Sequence, residues 1–290
     1  MFLMNLLLIF ICLFQSDSLT INVLDETSKK LIPYVSYVRL SDRKGSFANQ
    51  DGTIAFTGNL DTPYVLSCVG YQTDTIVPSK VHGMILLKPL TIELPEVKIT
   101  TNKTKRKIIN IGYLGKFSWV PWYAAIPRKM AISTFIPGED KVKKWEIVDI
   151  KMDIGANKSD VYSEFLIRLF IKENNNRLLG KDLLTKDMIV SIKANSYKYT
   201  FPLQESIELP SNGCFVGFET IGKVDKKGNF IPFSDFYEKP LKPFEFTFRL
   251  VKCNSYSMEK FGGFDWLRYR KTGNNPDTYA IGLNISEISK

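Results

Sequence analysis

Hydrophobic and polar residues alternate with a period of two along most of the chain, and short groups of Gly, Asn, Asp and Pro interrupt the alternation. The segment WEIVDIKMDI, for example, sets Val148, Ile150, Met152 and Ile154 on one side and charged residues on the other. Alternation of this kind predicts a strand with one buried face.

A second segment, SEFLIRLFIK, alternates in the same way but carries few polar residues on either side. One side holds Phe165, Ile167, Leu169 and Ile171, and the other holds Leu166, Arg168 and Phe170. The segment of helical length that follows, NNNRLLGKDLLTKD, has Asn and Gly near its start, so we expect a loop with one turn of helix.

Strand-length runs recur at intervals of roughly 8–12 residues without a helical period between them, which predicts an all-β chain. We expect a small β-sandwich over residues 19–100 and a basic linker over 101–112. A larger, jelly-roll-like β-sandwich should follow over 113–253. Residues 254–290 are predicted to form a C-terminal extension with a last strand.

The first 18 residues, MFLMNLLLIFICLFQSDS, resemble a secretory signal peptide. The apolar run Leu6–Phe14 is shorter than the roughly 20 residues of a membrane span, and Ser16 and Ser18 fit the positions before a cleavage site. No Lys or Arg precedes the run. The segment predicts export to the periplasm, to the outer membrane or to the cell surface.

The stretch FANQDGTIAF contains Asp51-Gly52 and has two interpretations. A calcium loop of the EF-hand type needs acidic residues at alternate positions and a Glu about twelve residues along. Thr57 and Leu60 stand where such ligands would be, and the next acid is Asp61. The stretch therefore predicts a hairpin turn, with Gly supplying positive φ.

Four segments of the first part, VLDETSKKLIPYVSYVRL, ANQDGTIAF, VLSCVGYQTDTI and LPEVKIT, follow one another in an order and spacing that resemble a known family. This family is the carboxypeptidase-regulatory-like domain, a seven-stranded transthyretin-like sandwich common in envelope proteins of Bacteroidota. The resemblance implies a structural or interaction module, with Gly70-Tyr71 turning the chain after a core strand. The second half is similar to uncharacterised β-sandwich envelope proteins of the same phylum.

One histidine, His82, is present in the whole sequence. A zinc carboxypeptidase needs two His and one Glu as metal ligands, so this activity is excluded. His82 is predicted to lie in a surface loop. Motifs for acyl transfer, phosphate binding and dinucleotide binding do not occur in the sequence, so we expect a protein that is not an enzyme and needs no metal or cofactor.

Cysteine usage excludes a dense disulfide framework and a zinc ribbon. Cys12 would leave with the signal peptide, and Cys68, Cys214 and Cys253 contain no closely spaced pair. Cys68 lies in an apolar run and is predicted to be a small buried residue. Whether Cys214 and Cys253 form a disulfide is left open by their spacing.

The net charge is +9, and part of it is concentrated in KITTNKTKRK. The basic residues there are Lys98, Lys103, Lys105, Arg106 and Lys107. Such a run is typical of a solvated linker, and it also allows a peripheral contact with an anionic envelope surface.

Paired carboxylates allow an alternative function, a glycan-active hydrolase. A glycosidase needs two acids about 5–10 Å apart and leaves no spacing signature. Glu139-Asp140 and the pair Asp235 and Glu238 are loop acids that could serve, although solvated loop charge is by far the commoner explanation for them.

Two aromatic clusters with basic neighbours are the candidate recognition surface for another envelope protein or a surface glycan; no nucleic-acid partner is expected. The candidate residues are Trp119, Trp122, Tyr123, Trp266, Arg268, Tyr269 and Arg270. Flat rings beside cations serve binding faces through stacking and cation–π contacts. The alternative is that these rings seal the interface between the two domains or cover a sheet edge.

Overall fold

The computed structural model describes residues 18–90, 107–114, 118–121, 130–139, 143–156, 162–193, 198–235, 246–252, 255–261, 265–268 and 277–288. These ranges contain 23 strands, one 3₁₀ turn at Pro78–Lys80 and no α-helix. The prediction of an all-β chain built from sandwiches is confirmed. No helix in this part of the chain is long and apolar enough to cross a membrane. The predicted signal peptide lies outside the described residues except for Ser18.

Residues 18–87 form seven strands in two sheets. They are β1 (Ser18–Asp25), β2 (Ser36–Arg39), β3 (Gly45–Phe47), β4 (Thr53–Thr57), β5 (Tyr64–Ser67), β6 (Asp74–Ile76) and β7 (Met84–Leu87). One sheet has the order β4-β1-β7 and the other β3-β2-β5-β6. Strand β1 runs antiparallel to β4 and parallel to β7. Alternate side chains such as Ile21 and Val23 point between the sheets and form the first hydrophobic core.

The stretch FANQDGTIAF turns the chain, but the predicted hairpin is wrong, because β3 and β4 lie in different sheets. The Asn49 Oδ1 accepts hydrogen bonds from the backbone N–H groups of Asp51 (2.9 Å) and Thr53 (2.8 Å). Gly52 has a φ of 67°. The turn carries the chain across the sandwich, so that Ala48 and Ile54 enter the same core from opposite sheets.

The remaining strands form the second part of the molecule. They are β8 (Ile108–Gly112), β9 (Ser118–Pro121), β10 (Met130–Ile136), β11 (Trp145–Met152), β12 (Ile154–Ala156), β13 (Tyr162–Asn175), β14 (Leu178–Asp182), β15 (Met188–Lys193), β16 (Tyr199–Glu208), β17 (Cys214–Asp225), β18 (Phe230–Pro232), β19 (Phe246–Lys252), β20 (Ser257–Phe261), β21 (Leu267–Arg268), β22 (Asp277–Tyr279) and β23 (Ile281–Glu287).

Three sheets build this second sandwich. The largest has the order β14-β13-β17-β10-β20-β21, with β15 on β13 and β18 on β17. A four-stranded sheet has the order β16-β11-β23-β8, and a second four-stranded sheet joins β12, β19, β22 and β9. A second hydrophobic core fills the space between them, with Ile132, Ile150, Ile167, Val216 and Leu283 among its members.

Strand β23 lies in the middle of its sheet, between β11 and β8, although its residues belong to the predicted C-terminal extension. Strand β8 likewise begins inside the predicted basic linker. The predicted boundaries at 112 and 253 therefore do not coincide with the edges of the second group of sheets. Only the pairing of distant segments shows this, because the short strand Ile281–Glu287 does not mark a domain by itself.

The predicted alternation in β11 is interrupted by a β-bulge. The register with both neighbouring strands shifts between Ile147 and Asp149. As a result Ile147 is buried, whereas Val148, predicted to face the core, is half-buried. Ile150 and Met152 are buried as predicted. A bulge adds one residue to one strand. The residues before the bulge therefore point to the faces opposite to those that an uninterrupted alternation predicts.

The segment predicted as a loop with one helical turn is instead a two-stranded hairpin, β13–β14. Asn176 (φ 51°) and Arg177 (φ 68°) form its two-residue connection. Positive φ at both central residues is the property of a type I′ turn, which matches the right-handed twist of paired strands. Asn accepts this conformation readily, so the Asn-rich stretch codes for a turn and not for a helix start.

Candidate functional site

The outer face of β13 is covered by the first sandwich, and Arg168 lies at the centre of the contact. Its guanidinium donates to the Asp187 carboxylate (3.0 Å), to the Glu219 carboxylate (3.1 Å) and to the backbone oxygen of Tyr34 (2.8 Å). The same guanidinium stands 5.8 Å from the centre of the Phe47 ring. Arg168 is 5% exposed. We call this group of five residues the junction.

The Arg168 cation of the junction lies between two carboxylates. Burial by itself would lower the pKa of Arg168, but the neighbouring Asp187 and Glu219 outweigh it, so the pKa is raised and the guanidinium stays charged. The Cys68 thiol donates to the Asp187 carboxylate over 3.2 Å. Burial, with Asp187 beside it, raises the pKa of Cys68, so the thiol is protonated and unreactive. Cys68 was predicted to be a small buried residue, but it is half-buried and belongs to this polar contact.

Backbone contacts extend the junction between the same two parts of the chain. The Ser46 hydroxyl donates to the Phe233 carbonyl over 3.1 Å. The Asp235 N–H donates to the Gly45 carbonyl (2.9 Å), and the Gly45 N–H donates to the Asp235 carboxylate (3.3 Å). Asp235, one of the acids considered for hydrolysis, therefore serves the contact between the sandwiches.

Gly70 lies at a close approach of the two sandwiches. Its φ is 83°, and a Cβ at this position would lie 2.8 Å from the carbonyl oxygen of Thr185. The adjacent Tyr71 hydroxyl donates to the Asp25 carboxylate over 3.0 Å. Burial and this hydrogen bond raise the pKa of Tyr71 to about 12. The turn that the resemblance implied at Gly70-Tyr71 is thus present, and it also makes room for the second sandwich.

A surface groove lies where β11 begins and β16 ends, away from the junction. Its cavity has a volume of about 420 Å³, and the residues lining it include Glu139, Lys143, Lys144, Trp145, Glu208 and Ser211. The Lys144 ammonium pairs with the Glu208 carboxylate at 3.0 Å, and the Lys143 ammonium pairs with Glu287 at 2.9 Å. The groove is an open concavity lined by charged side chains and one aromatic ring.

A buried polar cluster crosses the second sandwich near β20 and β22. The Ser257, Thr134 and Thr278 hydroxyls are fully buried and bond to one another. The Tyr279 hydroxyl donates to the Glu259 carboxylate. Burial raises the pKa of Glu259 to about 7, against the opposing effect of that hydrogen bond. Glu259 is 7% exposed, so it has little access to a substrate.

The predicted recognition residues fall largely outside the described part of the chain. Trp122, Tyr123, Tyr269 and Arg270 lie outside it, and Trp119 and Arg268 are described only as members of strands β9 and β21. Trp266 is half-buried, and its ring meets the Phe170 ring edge-on at 5.7 Å. Phe170 is buried on the outer face of β13, so Trp266 has at least one packing contact.

Other predicted positions have mixed outcomes. His82 is exposed beside Gly83, as predicted. Cys214 is a buried free thiol, and Cys253 lies outside the described residues, as do Asp140 and Glu238. Lys107 is exposed, and Lys98, Lys103, Lys105 and Arg106 lie outside the described part. Among the residues that the structure describes, no group of three or more His, Cys, Asp or Glu side chains is arranged to hold a metal ion.

Sequence reasoning missed three important residues: Arg168, Trp145 and Glu259. The sequence contained a signal for Arg168, because it is the one charged residue between Phe165 and Ile171 in a run that is apolar on both faces. The sequence contained no local signal for Trp145 or Glu259, since the role of each depends on contacts with residues distant in sequence.

Comparison with known proteins identifies no relative of this chain. No family model and no curated protein matches it. Among solved structures, it is similar to a chain in the structure of infectious bursal disease virus Gt strain, with 12% identity and a TM-score of 0.25. The match covers 94% of this chain and 64%, less than two thirds, of that chain. A likeness at this TM-score supports no argument about function.

Proposed function

We propose that this protein is an exported, non-enzymatic binding or assembly module of the bacterial cell envelope, with its recognition surface on the second sandwich. The junction is the main structural observation that supports this proposal. Because Arg168 is bonded to both parts of the chain and its charge is matched inside the contact, the first sandwich serves as a fixed support for the second. The resemblance of residues 19–100 to carboxypeptidase-regulatory-like domains supports the same function.

The partner is another envelope protein or a surface glycan. The exposed Lys107 belongs to the basic segment that suits a peripheral contact with an anionic envelope surface. The junction occupies the outer face of β13 around Arg168, so a partner meets surfaces of the second sandwich outside this contact.

Cosedimentation with isolated envelopes of a Bacteroidota bacterium tests this proposal. The full-length chain should be exported when it is expressed in such a host. The purified protein should then sediment with envelopes in a saturable manner, and excess unlabelled protein should displace it. Retention in the cytoplasm, or a protein that stays in the supernatant, would contradict the proposal.

Alanine substitutions at Trp119, Trp122 and Trp266 test the aromatic surface separately. If these rings bind the partner, envelope binding falls while the melting temperature stays unchanged. If the protein loses stability instead, the rings are packing residues, and the binding surface lies elsewhere.

The groove gives one observation in favour of a glycan-active hydrolase, because Glu139 and Glu208 line the same cavity. Both carboxylates are exposed, however, whereas the general acid of a glycosidase is usually removed from water. Release of reducing ends from a glycan panel, abolished by Glu139→Gln or Glu208→Gln, would establish the hydrolase. An unchanged rate in both variants would remove these two acids from the reaction.

A further inference from the structure

The groove at the start of β11 has a rigid aromatic wall. Trp145 is half-buried, its ring packs against the second hydrophobic core, and it also lines the cavity. A ring fixed by the core loses little conformational entropy when a ligand covers its free surface. An aromatic surface of this kind suits the apolar face of a flat ring.

The rim of the groove carries hydrogen-bonding groups of both kinds. The Lys144 ammonium and the Glu208 carboxylate, both exposed, pair at 3.0 Å, and Ser211 contributes an exposed hydroxyl. Ammonium groups donate, carboxylates accept and a hydroxyl does both. A ligand that presents many hydroxyl groups finds partners of both kinds around the Trp145 ring.

The charges of the groove are balanced. Among the described lining residues, Lys143 and Lys144 carry two positive charges, and Glu139 and Glu208 carry two negative charges. A polyanion would gain from the two ammonium groups but would lie against two carboxylates. The balance therefore favours an uncharged ligand.

The walls of the groove are packed against each other. A Cβ on Gly138 would lie 2.4 Å from the carbonyl oxygen of Ser211, so the loop after β10 touches the loop after β16. The Leu209 N–H donates to the Trp145 carbonyl over 2.7 Å, and the Gly213 N–H donates to the Pro210 carbonyl over 2.9 Å. Binding thus needs little rearrangement.

We infer that this groove binds a neutral saccharide, with one sugar ring stacked on Trp145 and its hydroxyls on Lys144, Glu208 and Ser211. The inference rests on the proposed binding function, for which it names the ligand class and the site. The volume of about 420 Å³ lies within the range of small-ligand pockets.

Isothermal titration calorimetry of the full chain with neutral oligosaccharides of glucose, mannose, galactose and xylose tests the inference, with oligogalacturonate as the charged comparison. We expect at least one neutral oligosaccharide to bind.

Trp145→Ala should weaken the binding about tenfold, in line with the loss of a stacking contact. Ser211→Trp should also weaken it, because it fills the groove from an exposed loop position and spares the core. Ser28→Trp, at an exposed site on the first sandwich, is the matched control.

Each outcome decides the inference. Neutral saccharide binding that survives both Trp145→Ala and Ser211→Trp would overturn the site, and binding of oligogalacturonate alone would overturn the ligand class. If no saccharide binds while the protein still sediments with envelopes, the inference fails and the proposed function stands. If a neutral saccharide binds in the groove but envelopes are not bound, the proposed function fails and the site stands.

Discussion

The carboxyl group of Glu259 has a pKa that is raised well above its ordinary value. Its carboxyl group lies in the polar cluster of the second sandwich, and burial raises its pKa from the usual 4.5 to about 7. The folded state therefore holds a proton that the unfolded state releases between these two pH values. By linkage, the contribution of this group to stability falls as the pH rises from about 4.5 to 7 and is constant above 7.

The variant Glu259→Gln should abolish this pH dependence, because the amide stays neutral and its oxygen still accepts from Tyr279. Relative to the wild type, the free energy of unfolding of the variant should rise between pH 5 and pH 8, by at most about 3 kcal/mol. Urea titrations at both pH values measure the effect. Glu173→Gln, at an exposed position on β13, is the control variant. Parallel pH profiles for wild type and Glu259→Gln would contradict the assignment.

At the scale of single elements, the β13–β14 hairpin depends on the conformation of its two turn residues. Arg177 is held at a φ of 68°, a region in which a side chain with a Cβ is strained by roughly 1–2 kcal/mol. Asn-Gly is the preferred sequence of a type I′ turn.

We therefore predict that Arg177→Gly stabilises the protein by about 0.5–1 kcal/mol, since the relief of strain exceeds the added entropy of glycine in the unfolded chain. Thermal unfolding measures the change. Lys226→Gly is the control, because it adds a glycine to another hairpin connection at a residue without positive φ. Destabilisation by both variants to the same extent would show that Arg177 is not strained.

For the molecule as a whole, the junction decides whether the two sandwiches unfold together. Removing one partner of a buried ion pair leaves an uncompensated charge and typically costs 3–5 kcal/mol, about the stability of a small domain. Leu166 and Phe170 flank Arg168 on the outer face of β13, so the contact between the sandwiches has one charged centre with apolar neighbours.

Arg168→Met should lower the free energy of unfolding by roughly 3–5 kcal/mol, because it leaves Asp187 and Glu219 without their cation. Differential scanning calorimetry should show one transition for the wild type and two for the variant, since the sandwiches are no longer coupled. Lys143→Met breaks an exposed pair with Glu287 and should cost at most about 1 kcal/mol. A single unchanged transition for Arg168→Met would refute the coupling.

The sequence by itself determined the secondary-structure class and much of the core. Phe165, Ile167, Leu169 and Ile171 all face the second core, because successive side chains of a strand point to opposite sides of the sheet and these four share one side. The turns at Gly52 and Gly70 were also readable, since positive φ selects glycine.

Only the tertiary structure decided which strands pair and which buried groups act together. It placed β3 and β4 in different sheets, set β23 between β8 and β11, and assigned Arg168 to the junction and Trp145 to the groove. These features depend on contacts between residues far apart in sequence. Strand pairing and charge matching across such distances leave no local pattern, because they are fixed by the packing of whole sheets.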